Sequence, residues 1–235
     1  MDAVAAAAER GAPHGLVIGA ERQTEGRGRR GRSWSSPSGA GLYFSYLVRP
    51  TRDLGLVTLA AGVAVREGIR LATDVEADLK WPNDVFVDGR KLAGLLAEGA
   101  RLGTPDVAVT LGVGLNVREA ALPPEVADRA TWLARESGAP VDRGALLASV
   151  LGQLDAIFRR LAEGQADGIL RQWRGASPSA HGVSIQWRDG DAIRTGRTAG
   201  IDATGALLAR TDAGLERIVG GEVVWPFAHP GRSGA

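Results

Sequence analysis

The chain carries 28 lysines and arginines, and only two of them are lysines, Lys80 and Lys91. They stand eleven positions apart in Lys80-Trp81-Pro82-Asn83-Asp84-Val85-Phe86-Val87-Asp88-Gly89-Arg90-Lys91. A chain that uses arginine nearly everywhere keeps lysine where a guanidinium fails. An ammonium is a compact charge on a flexible stem, whereas guanidinium is a planar fork that keeps its proton. Both lysines are therefore candidates for chemistry on an anion; the competing reading is two surface lysines brought together by chance. A second cationic cluster is Gly26-Arg27-Gly28-Arg29-Arg30-Gly31-Arg32, four arginines in seven residues. Glycine lets backbone approach a ligand, and each guanidinium can pair with carboxylate or phosphate oxygens. No Gly-Lys-Ser/Thr follows, as a Walker loop requires, and no helix is expected to open at these glycines. An arginine-glycine segment for RNA is the alternative, although Trp34, Tyr43, Phe44 and Tyr46 nearby are explicable as strand core.

The elements that must position these groups are legible in outline. Asp2 to Arg10 reads as a helix stopped by Gly11 and Pro13, and Leu16 to Ala20 as a strand. After a polar loop from 21 to 41, Leu42 to Val48 is strand-like and Leu54 to Ala72 has the apolar spacing of a helix. A strand leads into Lys80-Trp81. Asp88-Gly89 predicts a tight hairpin between Val85-Phe86-Val87 and Leu92 to Ala97, which puts Lys91 at the start of the returning strand. Val107, Val109, Leu111, Val113, Leu115 and Val117 alternate strictly with Ala108, Thr110, Gly112, Gly114 and Asn116. One face of that strand is apolar, and the glycines leave room on the other for a ligand to lie flat, unless they mark only a bend. Helices are expected at Asp142 to Ala162, capped by Asp142, and at Ala166 to Arg174. Past Ser177-Pro178 come short strands with turns at Asp189-Gly190, Thr204-Gly205 and Ala213-Gly214.

Composition narrows the class. With 235 residues and 44% hydrophobic content, the chain can bury a full core. A net charge of +1 gives no bulk attraction to nucleic acid or to an anionic membrane. Zero cysteines exclude disulfides, thiolate metal sites and cysteine nucleophiles. No run of about 18 apolar residues and no basic signal region is present, so a cytoplasmic location is expected.

Gln23 and Gly26 to Trp34, then Lys80-Trp81-Pro82-Asn83-Asp84, then Arg90-Lys91-Leu92-Ala93-Gly94, then Gly112-Val113-Gly114-Leu115-Asn116, resemble biotin-protein ligase in order and spacing. The resemblance runs from about residue 2 to 228. It implies an α+β fold, a mixed, mostly antiparallel sheet with helices like the class II aminoacyl-tRNA synthetase core, plus a small SH3-like β barrel. The implied division is a catalytic domain over 1–177, a C-terminal domain over 178–228, in which Gly200-Ile201-Asp202 and Gly221-Glu222-Val223-Val224 match the family's strands, and a tail over 229–235. The implied reaction makes biotinyl-5′-adenylate from biotin and ATP, with Mg2+, and passes biotin to a lysine of a biotin carboxyl carrier domain of a biotin-dependent carboxylase. By this resemblance Lys91 and Arg29 are catalytic, Lys91 holding the reacting oxygens. Arg27 and Arg29 clamp carboxylate and phosphate, Gln23 and Gly28 line the biotin site, and Trp34 covers the adenine. Arg32, Lys80, Asn83 and Asn116 join Arg27 and Trp34 at ATP, and Asp84 is the candidate magnesium ligand. Trp81 and Pro82 are expected to shape the strand end. A monomer or homodimer is implied, with neither nucleic acid nor membrane as partner. A lipoate or octanoate ligase shares the core and remains the alternative.

Two departures from the family pattern stand out. The Ser/Thr-Thr-Asn stretch that precedes the first helix in the family, together with its strand, is not found before Met1-Asp2-Ala3-Val4; the expectation is that it is encoded upstream or that biotin is bound more weakly. No winged-helix domain is expected before the core, so the resemblance is to ligases without a repressor role.

Overall fold

A computed structural model of the chain describes residues 1–50, 52–221 and 223–225. Glu222 and the expected tail 229–235 lie outside them. In chain order the elements are α1 (Asp2–Glu9), β1 (Val17–Ala20), β2 (Gly41–Val48), α2 (Val57–Thr73), β3 (Asp78–Lys80), β4 (Asp84–Val87), β5 (Arg90–Ala100) and β6 (Ala108–Asn116). Then come α3 (Pro124–Ala127), α4 (Leu133–Glu136), α5 (Arg143–Ala162), α6 (Ala166–Gly175), β7 (His181–Asp189), β8 (Ala192–Ile201), β9 (Leu207–Thr211), β10 (Gly214–Ile218) and β11 (Val223–Val224).

Strands β1 to β6 form one antiparallel sheet in the order β1-β2-β6-β5-β4-β3. Period-2 alternation sorts its residues between two faces. Leu42, Phe44, Tyr46 and Val48 of β2 and Val109, Leu111, Val113 and Leu115 of β6 join the main core with α2, α5 and α6. Against the other face sits α1, whose Val4 and Ala8 close over Leu47 and Ala108 in a separate small core. The expected one-sided strand is thus covered on both faces: eight of nine β6 residues are buried.

Local chemistry sets the boundaries. The expected helix 54–72 opens with a 3-10 turn, Leu54–Leu56, because Asp53 before it is left-handed (φ 50°). Asp142 accepts from the N–H groups of Gly144 and Ala145, at 2.7 and 3.1 Å, and starts α5 as an N-cap. In the β4–β5 turn, Asp88 (φ 46°) and Gly89 (φ 76°) both take the positive φ that a type I′ hairpin needs.

The second sheet, β10-β9-β8-β7-β11, is antiparallel throughout. It does not stand apart from the first, since Ile185, Trp187, Ile201, Leu207 and Ile218 belong to the same continuous core as α2 and β3. The indole N–H of Trp81, on a residue 4% exposed, donates to the Gly205 carbonyl at 3.0 Å. Arg174 of α6 donates to the Ile201 carbonyl, also at 3.0 Å. Trp81 therefore does shape the end of β3, and it does so by holding the second sheet. Trp81→Phe removes that donor and leaves a buried carbonyl unpaired, a loss of about 1–3 kcal/mol. The urea midpoint should fall with an unchanged slope; an unchanged midpoint would mean that the bond contributes nothing.

Candidate active site

One transverse row crosses all six strands of the first sheet: Ala20, Tyr43, Gly114, Gly94, Asp84 and Lys80 face each other in register. In the centre of the row two glycines leave a flat floor. Trp34 covers it. A methyl group at Gly114 would lie 2.5 Å from the Trp34 Cε2 and Nε1, and one at Gly94 would lie 3.0 Å from its Cζ3. At Gly114 only glycine allows this approach, because real Cβ atoms are not found so close to a ring; at Gly94 the ring would have to give by a few tenths of an ångström. One row along the sheet, Met1 lies over Gly112, with its sulfur 2.8 Å from the place of a Cβ. The space expected above the glycines for a ligand is thus occupied by the chain's own side chains. The Trp34 N–H is buried there with no acceptor among the described residues. An unpaired buried donor costs about 1–3 kcal/mol, so an arrangement that offers it an acceptor is favoured.

At the Lys80 end of the row the charges gather. Lys91 enters β5 at an irregularity in the β4–β5 register. Its ammonium lies 2.6 Å from Asp84 Oδ1 and 5.3 Å from the Trp34 ring centroid. Arg29 reaches the same spot from the Arg/Gly loop: it is half-buried, donates to Asn83 Oδ1 at 3.5 Å and feels the charge of Asp84. Burial lowers the pKa of the Lys80 ammonium, an effect that Asp84 opposes and Lys91 reinforces. Three cations thus share one carboxylate.

The Arg/Gly loop is a narrow hairpin. Gly28 donates to Arg32 (2.6 Å), Trp34 to Gly26 (2.7 Å) and Arg32 to Arg29 (3.3 Å). Its tip is a single 3-10 turn with Arg30 left-handed (φ 58°). At its base Gln23 Oε1 accepts from Ser36 (2.6 Å), and Gly26 is pressed against both. The loop, Leu96 and Glu98 bound an open groove of ≈ 650 Å³.

Other expected residues are placed differently. Arg27 turns away from Lys91 and pairs with Asp2 at 2.6 Å and Glu98 at 3.3 Å; the Asp2 hydrogen bond raises the pKa of Arg27 and lowers that of Asp2. Arg32 lies exposed at the end of the turn. Asn83 braces the strands, its Nδ2 donating to Leu95 O at 2.6 Å while its own carbonyl accepts from Leu95 N–H at 2.9 Å. Asn116 is buried and donates to Thr131 O at 3.1 Å. It thereby anchors the segment 129–131, whose backbone bonds to Lys91 on both sides, Lys91 N to Arg129 O and Thr131 N to Lys91 O. The side chains of Thr131 and Glu136 are hydrogen-bonded to each other, and Glu136 lies 3.6 Å from Arg90. Sequence reasoning missed this brace, since no motif marks it; it also missed Glu98, which the alternation Gly94, Leu96, Glu98 places on the site face. Among the described residues no group of three His, Cys, Asp or Glu converges as a metal site. Asp84, the candidate magnesium ligand, is paired here with Lys91.

The chain is matched over residues 7–116 by the model of the Biotin/lipoate A/B protein ligase family and over 181–225 by that of the Biotin protein ligase C terminal domain. It is 37% identical over 237 residues to the Biotin--[acetyl-CoA-carboxylase] ligase of Mycobacterium tuberculosis, covering 95% of this chain and 80% of that one. To the Bifunctional ligase/repressor BirA of Bacillus spizizenii it is 32% identical over 221 residues, covering 92% and 68%. Its fold superposes on the biotin protein ligase from Aquifex aeolicus in complex with biotin and ATP with a TM-score of 0.81, at 32% identity and coverage of 94% and 92%. The fold is that of the biotin protein ligases on which it superposes. The chain belongs to the biotin protein ligase family.

Gly114→Ala should displace the Trp34 ring, at a cost of about 1–3 kcal/mol for overpacking. In a nitrogen–proton correlation spectrum, the Trp34 indole N–H, assigned with Trp34→Phe, should shift strongly while the Trp173 signal stays in place. An unmoved Trp34 resonance would remove the glycine floor as the ring's support.

Proposed function

We propose that the chain activates biotin with ATP and transfers it to a lysine of a biotin carboxyl carrier domain. The observation that carries this reading is the cluster of Lys91, Arg29 and Lys80 about Asp84 at one end of the glycine floor. In the first step a biotin carboxylate oxygen attacks the α-phosphorus of ATP and pyrophosphate leaves. Two anions must meet, and charge builds on the phosphoryl oxygens. Fixed cations in a site shielded from water offset that repulsion. Lys91 and Arg29 are assigned the reacting oxygens, and Lys80 the phosphates. Asp84 orients the Lys91 ammonium until substrate oxygens replace it. Magnesium arrives with ATP as part of the substrate. In the second step the carrier amine attacks the acyl carbon, AMP departs and the amine loses a proton.

The Arg/Gly hairpin covers this region, and its closure keeps water from the anhydride. Gln23 and Gly28 are proposed for the biotin side and Trp34, Arg32, Asn83 and Asn116 for the nucleotide side, the two asparagines through the backbone they brace. Arg27 joins substrate only if it leaves Asp2 and Glu98. Residues 1–177 would form the catalytic unit and 178–228 an SH3-like C-terminal unit, acting in the cytoplasm as monomer or homodimer. The match over 181–225 favours biotin over lipoate or octanoate as the acid. Among the described residues no helix is long and apolar enough to cross a membrane.

The reading is tested by biotin-dependent ATP–pyrophosphate exchange and by biotin transfer to a carrier domain. Exchange that requires lipoate instead, or steeply salt-sensitive nucleic-acid binding without exchange, overturns it. Lys91→Arg keeps the charge but should slow adenylate formation at least about tenfold, roughly 1.4 kcal/mol, because the fork cannot occupy an ammonium's position. An unchanged rate takes Lys91 off the reacting oxygens. Arg29→Gly should make adenylate yet release it faster, seen as biotin label on lysines of bystander proteins; release no faster than from the parent means that the loop does not retain the intermediate.

A further inference from the structure

The Lys80-Trp81 pair meets the second sheet at both residues. Trp81 donates to Gly205, and the Lys80 ammonium lies 4.8 Å from the Phe86 ring centroid and 5.2 Å from that of Trp225. Phe86 comes from β4 of the first sheet. Trp225 directly follows β11, whose pairing of Val223 with Trp187 and Val224 with Gln186 fixes where the chain leaves the second sheet. We propose that Trp225 is a positioning residue for Lys80, by which the second sheet supplies one wall of an aromatic cage that holds the ammonium in the catalytic site. The proposal rests on the ligase reading only in assigning Lys80 to the nucleotide phosphates.

Two ring faces suit this task for a physical reason. The lysine stem is flexible, and a partly buried ammonium needs a substitute for the hydration it loses. A carboxylate would supply one but would cancel the charge that an anionic substrate must feel. An aromatic face attracts the cation through its quadrupole and adds no countercharge. The surroundings of Lys80 fit that division: Asp84 is the acidic neighbour, already paired with Lys91, and burial works against the charged form. Trp225 is also partly buried against the main core, so a purely packing role must be separated from the cage.

The two-lysine composition makes the test direct, because acylation of the native 235-residue chain by acetic anhydride can modify only two side-chain amines. Trp225→Ala should raise the labelling rate of Lys80 about fivefold or more and leave that of Lys91 within about twofold, while Trp225→Phe stays near the parent. In biotin-dependent pyrophosphate exchange, Trp225→Ala should raise KM for ATP about fivefold with kcat little changed, and Trp225→Phe should restore it. Unchanged Lys80 labelling in Trp225→Ala overturns the proposal. So does a parallel rise at Lys80 and Lys91, which would mean that Trp225 only holds the sheets together. If the parent shows no exchange, the ligase reading fails, and the labelling alone decides the cage.

Discussion

The close approach of Trp34 to two glycines paired across β5 and β6 is the constraint on which the rest of the site depends. Gly94 and Gly114 can face each other only in one β5–β6 register, and the β4–β5 and β3–β4 registers bring Asp84 and Lys80 into the same row. A slip of one residue would send all of them to the helical face, because side chains alternate with period two. The apolar residues on that face, packed under α2 and α5, therefore fix the chemistry on the other side.

The second sheet belongs to this arrangement as well. It grips the end of β3 through Trp81, and Trp225 lies beside the neighbouring Lys80. The segment 129–136 grips β5 beside Lys91 in a comparable way, through backbone bonds that Asn116 supports. Each lysine is thus set by an element distant in sequence. A flexible side chain placed this way loses little further freedom when substrate arrives, which favours a reaction that depends on exact alignment of anions.

Much of this was legible in the residues. Asp88-Gly89 gave the hairpin and the position of Lys91, Asp142 gave the start of α5, and the alternation along 107–117 gave the central strand. The α+β class and the family motifs agree with the fold. What stayed hidden was long-range or lay between side chains. No pattern in the sequence shows that Arg27 prefers Asp2 and Glu98, since three nearby arginines have the same local context. The glycines of β6 read as open space because the residues that fill it, Trp34 and Met1, lie far away in the chain. That Asn116 donates to the Thr131 carbonyl left no mark in the sequence, because that partner is a backbone group.

The central claim is that acid activation takes place beside the glycine floor, under the charge of Lys91 and Arg29. A crystal structure of the protein with a non-hydrolysable biotinyl-adenylate analogue tests it most directly. The claim predicts the acyl-phosphate oxygens within hydrogen-bond distance of Lys91 Nζ and of Arg29, with the Lys91–Asp84 contact loosened. An analogue bound with its acyl-phosphate away from Lys91, and that ion pair intact, would contradict it.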